Sequence, residues 1–436
     1  MSQTLTSTYR ERLHRAIPAG AHTYSRGDDQ YPLNAPQILE RGEGAYVWDG
    51  DGRRFLDYGM ALRAVTLGYG HRAVAEAAVE EIYKGNNLTR ASKTELAAAE
   101  LLVDLIPSVD MVKFAKNGSN VTTAAIKLAR AFNGRKYVAV CAEHPFFSFD
   151  DWFIGNTVMD RGVPDEYKAL TLKFHYNDVA SLEQLFAAYP DQIAAVMLEP
   201  ATTVEPVDRF LHRVAELCSR HGAVFILDGM ITGFRWHLQG AQTLYDVRPD
   251  LCTFGKGMAN GFSVAALAGR RDIMELGGIE REGEERVFLI STTHGAEMCG
   301  LGAFCKTVEE YRSLGVVSHL WSYGRRLIDG MNAIARSLGI ADCFALEGVP
   351  CSPGYVTRDR NGQVSLPLRT LFSQEMIRRG VLMPWIALSY AHGDRELDIT
   401  LEAAKGALEV YAQALDGGIE GLLEGRAVKP VFRRVN

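Results

Sequence analysis

"AVFILDGMITGFRWHLQGAQTLYDVRPDLCTFGKGMANG", residues 223–261, is the stretch whose reading decides the fold. It holds two short apolar runs, AVFIL and DLCTF. The first ends in Asp228, followed by Gly229. The second ends in Lys256, which stands between Gly255 and Gly257. Runs that are apolar nearly throughout, without alternation, belong to strands covered on both faces. In an open parallel sheet, ligands bind beyond the carboxyl ends of the strands. Asp228 and Lys256 therefore stand where a ligand would. Taken singly, each has a plain reading: Asp-Gly is a common turn, and a loop lysine is usually solvated.

Outward from this stretch the same alternation continues. "MVKFAK" precedes the helix "VTTAAIKLARAFN"; "KYVAVC" and "IAAVMLEP" follow, and the helix "FLHRVAELCSRHG" leads into AVFIL. Upstream, "HRAVAEAAVEEIYKG" and "SKTELAAAELLVDLI" are amphipathic helices, and "AYVWDGDGRRFLDYG" predicts a hairpin turning at Asp49–Gly52. Downstream lie the helix "MCGLGAFCKTVEEYRSLG", strands at "YVTRD" and "VSLPL", and a last helix at "LDITLEAAKGALEVYAQAL". The expected fold class is α/β. A large domain at 70–300 carries a mostly parallel sheet covered by helices. An N-terminal segment, 1–69, and a C-terminal part, 301–436, build a small α+β domain from both chain ends.

Between "VKFA" and its helix come Asn117, Gly118, Ser119 and Asn120. Glycine lets backbone approach a ligand, a helix start offers N–H groups, and Ser119 adds a hydroxyl, which together suit a phosphate. The alternative is a plain turn with Ser119 or Asn120 as N-cap. A phosphate cradle, a carboxylate for a protonated ring nitrogen and a lysine able to form a Schiff base are the three handles required by pyridoxal 5′-phosphate (PLP). Each follows a predicted strand.

The bulk properties narrow the class. The 436 residues are 47% hydrophobic and 23% charged, with a net charge of −6 and no basic block, so nucleic acid is not an expected partner. No apolar run approaches the ~18 residues of a membrane span, and "MSQTLTSTYRERLHRA" lacks the apolar core of a signal peptide. Seven scattered cysteines without a C-x-x-C pair read as reduced thiols, and the expected location is the cytoplasm. No metal site is expected.

The segment "FILDGMITGFR…GAQTLYDVRPDLCTFGKGMANGFSVAALAGRRDIME" resembles the core of the class III, fold-type I PLP aminotransferases, in particular their glutamate-1-semialdehyde aminomutase branch. The resemblance begins at "IPAGAHTYSRG", runs through "GEGAYVWDGDGRRFLDYG", "LGYGH" and "NGSNVTTAAIKLAR", and ends near "HGDRELDITLEAAKGAL". It implies that Lys256 bonds to PLP as a Schiff base and then shuttles a proton. Asp228 pairs with the pyridine nitrogen, Gly118 and Ser119 hold the phosphate, and Met230 presses on the ring. Thr292, rather than Thr293, reaches the phosphate of the neighbouring subunit of a homodimer. Arg26 matches an arginine that holds a substrate carboxylate.

The departures lie elsewhere. "EHPFFSF" replaces the usual Tyr-His-Gly, so the ring-stacking role passes to His144, Phe146 or Phe147, with His144 best aligned; a packed core histidine is the alternative. Asp228-Gly229-Met230 replaces Asp-Glu-Val. Ala61-Leu62-Arg63 replaces the Ser-Trp-Gly of the aminomutase, which puts Arg63 near the expected substrate entrance; a solvated arginine is the alternative for both Arg26 and Arg63. The cofactor handles are kept and the substrate side is altered. The reading is an aminotransferase taking nitrogen from an amino acid, L-glutamate first, to an aldehyde or ketone. One acceptor would be a sugar aldehyde, such as an 8-oxo form of the octulosonic acid Kdo in surface polysaccharide synthesis. The alternatives are the aminomutase itself, a decarboxylase or racemase on the same fold, and a protein that keeps the fold without the activity.

Overall fold

The computed structural model describes residues 3–436, with side chains from Tyr9 onward. The described residues form two compact units, 72–317, and 3–71 together with 318–436.

The first unit is built on seven strands: β1 Met111–Ala115, β2 Tyr137–Cys141, β3 Thr171–Phe174, β4 Ile193–Leu198, β5 Val224–Asp228, β6 Leu251–Phe254 and β7 Ala265–Gly269. Their order across the sheet is β1-β7-β6-β5-β4-β2-β3. Only β7 opposes its neighbours; the other pairings are parallel. The expected mostly parallel sheet covered by helices is therefore present. Every residue of β4, β5, β6 and β7 is buried. The reason is visible in the alternation of side chains. Ala195, Met197, Val224 and Ile226 join one apolar cluster with the helix Gly118–Asn133. Val196, Leu198, Phe225 and Leu227 join another with the helix Phe210–His221. Strands that feed two cores have no polar face to show, which is why their sequences do not alternate. The helix Met298–Leu314 packs on the helices Arg72–Tyr83 and Lys93–Leu105 and so extends this unit to Val317.

The second unit holds three antiparallel strands, Leu39–Glu43, Tyr46–Asp49 and Arg54–Asp57, with Val381–Leu382 parallel to the third. The predicted turn at Asp49–Gly52 is there: Asp49 Oδ1 accepts the N–H groups of Asp51 and Arg53 at 3.0 and 2.8 Å. Phe344–Glu347 pairs with Gly354–Thr357, which contains the start of "YVTRD". "VSLPL" is not a strand. Ser365 caps the helix Leu366–Arg378, accepting the Leu368 N–H at 3.3 Å, and Pro367 stands in the first turn. A proline has no N–H for a ladder but costs nothing at a helix start, where that N–H has no partner. Among the described residues, no helix is long and apolar enough to cross a membrane. All seven cysteines are free.

Candidate active site

The parallel strands of the first unit end at one edge, where Gly118, Ser119, His144, Asp228 and Lys256 stand at or just beyond strand ends. Asp228 closes β5 and is only 2% exposed. Its Oδ1 accepts the Met230 N–H at 2.9 Å and the Thr253 hydroxyl at 2.8 Å. Thr253 lies beside Asp228 in the β5–β6 register and is itself fully buried. Burial pushes the Asp228 carboxyl above its ordinary range, while the two hydrogen bonds and the charge of Lys256 pull it down; the net direction is up. A buried carboxylate that clings to its proton is one that gains from an added N–H cation. Thr253 is a residue that sequence reasoning missed.

Lys256 follows β6 and sits in the left-handed region at φ 42°. The Tyr311 hydroxyl donates to the carbonyl of Gly257 at 2.6 Å and anchors the turn from below. The two glycines that flank the site answer to one side chain. A Cβ at Gly255 would lie 2.6 Å from the Met230 sulfur, and one at Gly118 would lie 3.0 Å from it. Met230, nearly buried, thus occupies the gap that both glycines leave. Neither glycine is there for an unusual φ.

The loop after β1 resolves the cap question. Asn117 is the N-cap of the helix Gly118–Asn133, accepting the Asn120 N–H at 3.1 Å, rather than Ser119 or Asn120. Ser119 is buried and its Oγ accepts the Phe149 N–H at 3.0 Å. Its hydroxyl keeps its own proton to donate, beside the N–H groups of the first helical turn.

Of the three aromatic candidates, Phe147 is part of the apolar core and Phe146 is exposed. His144 is 3% exposed, with its ring against Phe147 and Tyr176. Its Nδ1 accepts the Glu199 N–H at 3.0 Å, which places the remaining proton on Nε2. That Nε2 is buried and has no partner among the described residues. Burial lowers the imidazole pKa to about 4, against a weak opposing pull from Glu143, so the ring is neutral at pH 7. Thr292 lies on the exposed stretch Ser291–His294, and the structure brings it to none of these groups. The carbonyl of Thr293 is held by Asn87 Nδ2 at 3.0 Å.

Arg26 and Arg63 belong to the second unit. Arg26 lines a cavity of about 420 Å³ together with Tyr31, Asp57, Tyr69 and Trp385, and makes no ion pair among the described residues. Ala61 and Leu62 also line it; Arg63 does not. These residues belong to a rare conformation. Met60, Ala61, Leu62 and Arg63 have φ of 38°, 48°, 61° and 68°, four left-handed residues in a row and none of them glycine. Such a backbone costs about 1–2 kcal/mol per residue.

The edge of the first unit fits PLP on its own chemistry. It offers a buried carboxylate in want of a cation, a lysine whose charge acts on that carboxylate, a helix start with a spare hydroxyl, and a buried imidazole N–H without a partner among the described residues. Such a site on a mostly parallel sheet of this order defines a PLP-dependent enzyme of fold type I. The comparisons with known proteins name the family. The pattern of "Aminotransferase class-III" matches residues 26–343, and the chain belongs to that family. It is 31% identical over 430 residues to a glutamate-1-semialdehyde 2,1-aminomutase of Laribacter hongkongensis, covering 91% of this chain and 97% of that one. Its fold is similar to the PLP internal aldimine form of the FumI protein of Sphingopyxis sp. MTA144, at a TM-score of 0.86 and 25% identity over 95% and 98% of the two chains. It is also similar to an omega-transaminase of Sphaerobacter thermophilus, at 0.83 and 24% over 93% and 97%. The protein is a PLP-dependent transaminase.

Proposed function

We propose that the enzyme moves an amino group from L-glutamate to an aldehyde or keto acceptor, with a sugar aldehyde such as 8-oxo-Kdo as the acceptor class to test first. The observation that carries this reading is the contrast between a kept cofactor side, Asp228 and Lys256, and a substrate side in which Ala61-Leu62-Arg63 stands at the turn. Bound PLP supplies an electron sink for the carbanion formed at the substrate carbon. Lys256 would hold the cofactor through its Nζ, and once a donor amine took that place the freed Nζ would be the base that moves the Cα proton. Asp228, fixed through Oδ1 by Thr253 and Met230, would turn Oδ2 to the ring N–H and keep that nitrogen protonated. Gly118 and Ser119 hold the phosphate. His144 would offer its Nε2–H to the cofactor, and Met230 would pack against it. Arg26 receives a substrate carboxylate, with Arg63 as a second cation near the entrance.

A homodimer completes the site, with Thr292 directed to the phosphate of the partner subunit. Exposed Phe146, Phe149, Phe288 and Ile279 in the same unit support a covered surface there. The cytoplasm is the working compartment, in keeping with seven free thiols. Glutamate-1-semialdehyde aminomutase is the second reading, favoured by the 31% identical relative.

The visible spectrum before and after L-glutamate tests the proposal. A yellow band that bleaches, is absent in Lys256→Ala, and is accompanied by stoichiometric 2-oxoglutarate supports transamination from glutamate. A band that ignores glutamate turns the choice toward the mutase or another donor. Arg26→Ala and Arg63→Ala should each raise the donor's KM with little change in the spectrum. A KM that stays put removes that arginine from the site.

A further inference from the structure

We infer that Glu297 is a positioning residue for the phosphate loop: through Lys116 it fixes the start of the loop that carries Gly118 and Ser119. The inference rests on the reading of that loop as the phosphate site.

Three segments far apart in the sequence meet behind the loop, all within the unit 72–317. Lys116 stands between β1 and Asn117, and both of its ends are held. Its carbonyl accepts the Ser263 hydroxyl at 2.5 Å, and its Nζ donates to Glu297 Oε2 at 2.6 Å. Glu297 Oε1 accepts from Asn86 Nδ2 at 2.8 Å. An ion pair in open water is worth little. This one is shielded, the two side chains being only 22% and 26% exposed. The Lys116 hydrogen bond holds the Glu297 carboxyl below the usual carboxylate range, so the carboxylate is ionised at neutral pH.

The place of Glu297 in the chain makes this pairing unexpected. It is the N-cap of the helix Met298–Leu314, where an acidic side chain ordinarily serves the free N–H groups of its own first turn. Glu297 makes no such bond. Asn86 serves those groups instead: its carbonyl accepts the Met298 N–H at 2.7 Å and its Oδ1 accepts the Cys299 N–H at 3.0 Å. Asn86 sits in the left-handed region at φ 54°, just past the helix Arg72–Tyr83, a conformation that asparagine tolerates at a helix end. With the cap supplied by a neighbour, the Glu297 carboxylate is spent on Lys116. The last turns of the same helix carry Tyr311, which holds the Gly257 carbonyl beside Lys256. One helix therefore braces both the phosphate loop and the lysine turn, and Glu297 is the brace on the phosphate side.

The test compares PLP with pyridoxal, which has the same ring and aldehyde and no phosphate. Cofactor-free, full-length protein is titrated with each, and the visible band gives the affinity. Ser119→Ala calibrates the comparison: it should weaken PLP and spare pyridoxal. Glu297→Ala should weaken PLP about tenfold, as losing a contact that orients a directly binding group does, and change pyridoxal less than about twofold. Glu297→Gln keeps an oxygen for Lys116 without the charge, and should weaken PLP by no more than about threefold. Lys116→Met should match Glu297→Ala, and the double variant should lose no more than either alone, since both break one contact. Equal losses for PLP and pyridoxal in Glu297→Ala would make the residue a support of the fold and overturn the inference. Unchanged PLP affinity in that variant would overturn it too. A wild-type protein that binds the two aldehydes alike, with Ser119→Ala silent, would overturn the phosphate reading of the loop and the inference with it.

Discussion

The two candidate regions solve the same problem in opposite ways. At the edge of the seven-stranded sheet, room is made by leaving side chains out: Gly118 and Gly255 both give way to Met230. At Met60–Arg63 the side chains stay and the backbone is bent into a left-handed path instead. The first arrangement suits a cofactor that presents the same atoms in every turnover. The second keeps its side chains on a bent backbone, and Ala61 and Leu62 line a cavity with them. The cost also differs. The sheet edge stores its cost as a buried charge, Asp228, and the turn stores it as backbone strain.

The sharpest break of this contrast is Asp228→Asn. Removing one partner of a buried charge pair costs about 2–5 kcal/mol, so PLP affinity or turnover should fall roughly 30- to 5,000-fold. The protein without PLP should not suffer with it. The Asp228 carboxyl has its proton held above the ordinary carboxylate range, so at neutral pH ionising it works against folding. The Asp228→Asn variant should therefore leave the Tm of the cofactor-free protein level or slightly higher, while the gain in Tm on adding PLP shrinks. A parallel loss of Tm in the cofactor-free protein would mean that the carboxylate serves the fold and not the ligand.

Gly255→Ala probes the side chains left out. Its Cβ would fall 2.6 Å from the Met230 sulfur, and overpacking of this kind costs about 1–3 kcal/mol. Shortening the obstacle, in Gly255→Ala with Met230→Ala, should restore most of the lost Tm but not the PLP affinity, because Met230 would no longer bear on the ring. Full recovery of both would take Met230 out of the cofactor site.

How much of this could be read in advance follows from what each feature depends on. Asp228 and Lys256 were legible because each ends an apolar run, and a covered parallel sheet puts such ends at a ligand edge. Thr253 was not, because its part depends on the register of β5 against β6, which one strand's sequence does not encode. Asn117 was passed over as N-cap because three cap-forming residues crowd into four positions. "VSLPL" looked like a strand because Val, Ser and Leu alternate; Pro367 was the sign of a helix start. The turn at Met60–Arg63 was invisible, since nothing in Met-Ala-Leu-Arg points to φ above zero. Left-handed residues are announced by glycine or asparagine, and a conformation imposed by Asp57 and Tyr69, which accept the N–H groups of Gly59, Met60 and Ala61, leaves no local mark.

The finest test sets one histidine from each unit side by side. Burial lowers both His144 and His392 to about 4. A histidine normally protonates near 6.5, so between about pH 6.5 and 4 the unfolded chain binds protons that the folded chain refuses. Stability must then fall as pH falls through that window, and each histidine replaced should reduce the slope by up to about 1.4 kcal/mol per pH unit. In this the two are alike. They differ in their partners. His392 Nδ1 meets the Ser389 hydroxyl at 2.9 Å and N–H at 3.1 Å, and its Nε2 meets the Asp57 carbonyl at 3.2 Å. His144 uses Nδ1 alone. Asparagine can keep an acceptor where Nδ1 stood but cannot reach where Nε2 stood. His392→Asn should therefore lower Tm and leave PLP affinity as it was. His144→Asn should do the reverse, holding the Tm of the cofactor-free protein within about 2 °C and weakening PLP binding about tenfold, the worth of one hydrogen bond. If His144→Asn instead lowered Tm and spared PLP, its lone Nε2–H would be a defect of packing, and the ring-facing role would have to be sought beyond the residues after β2.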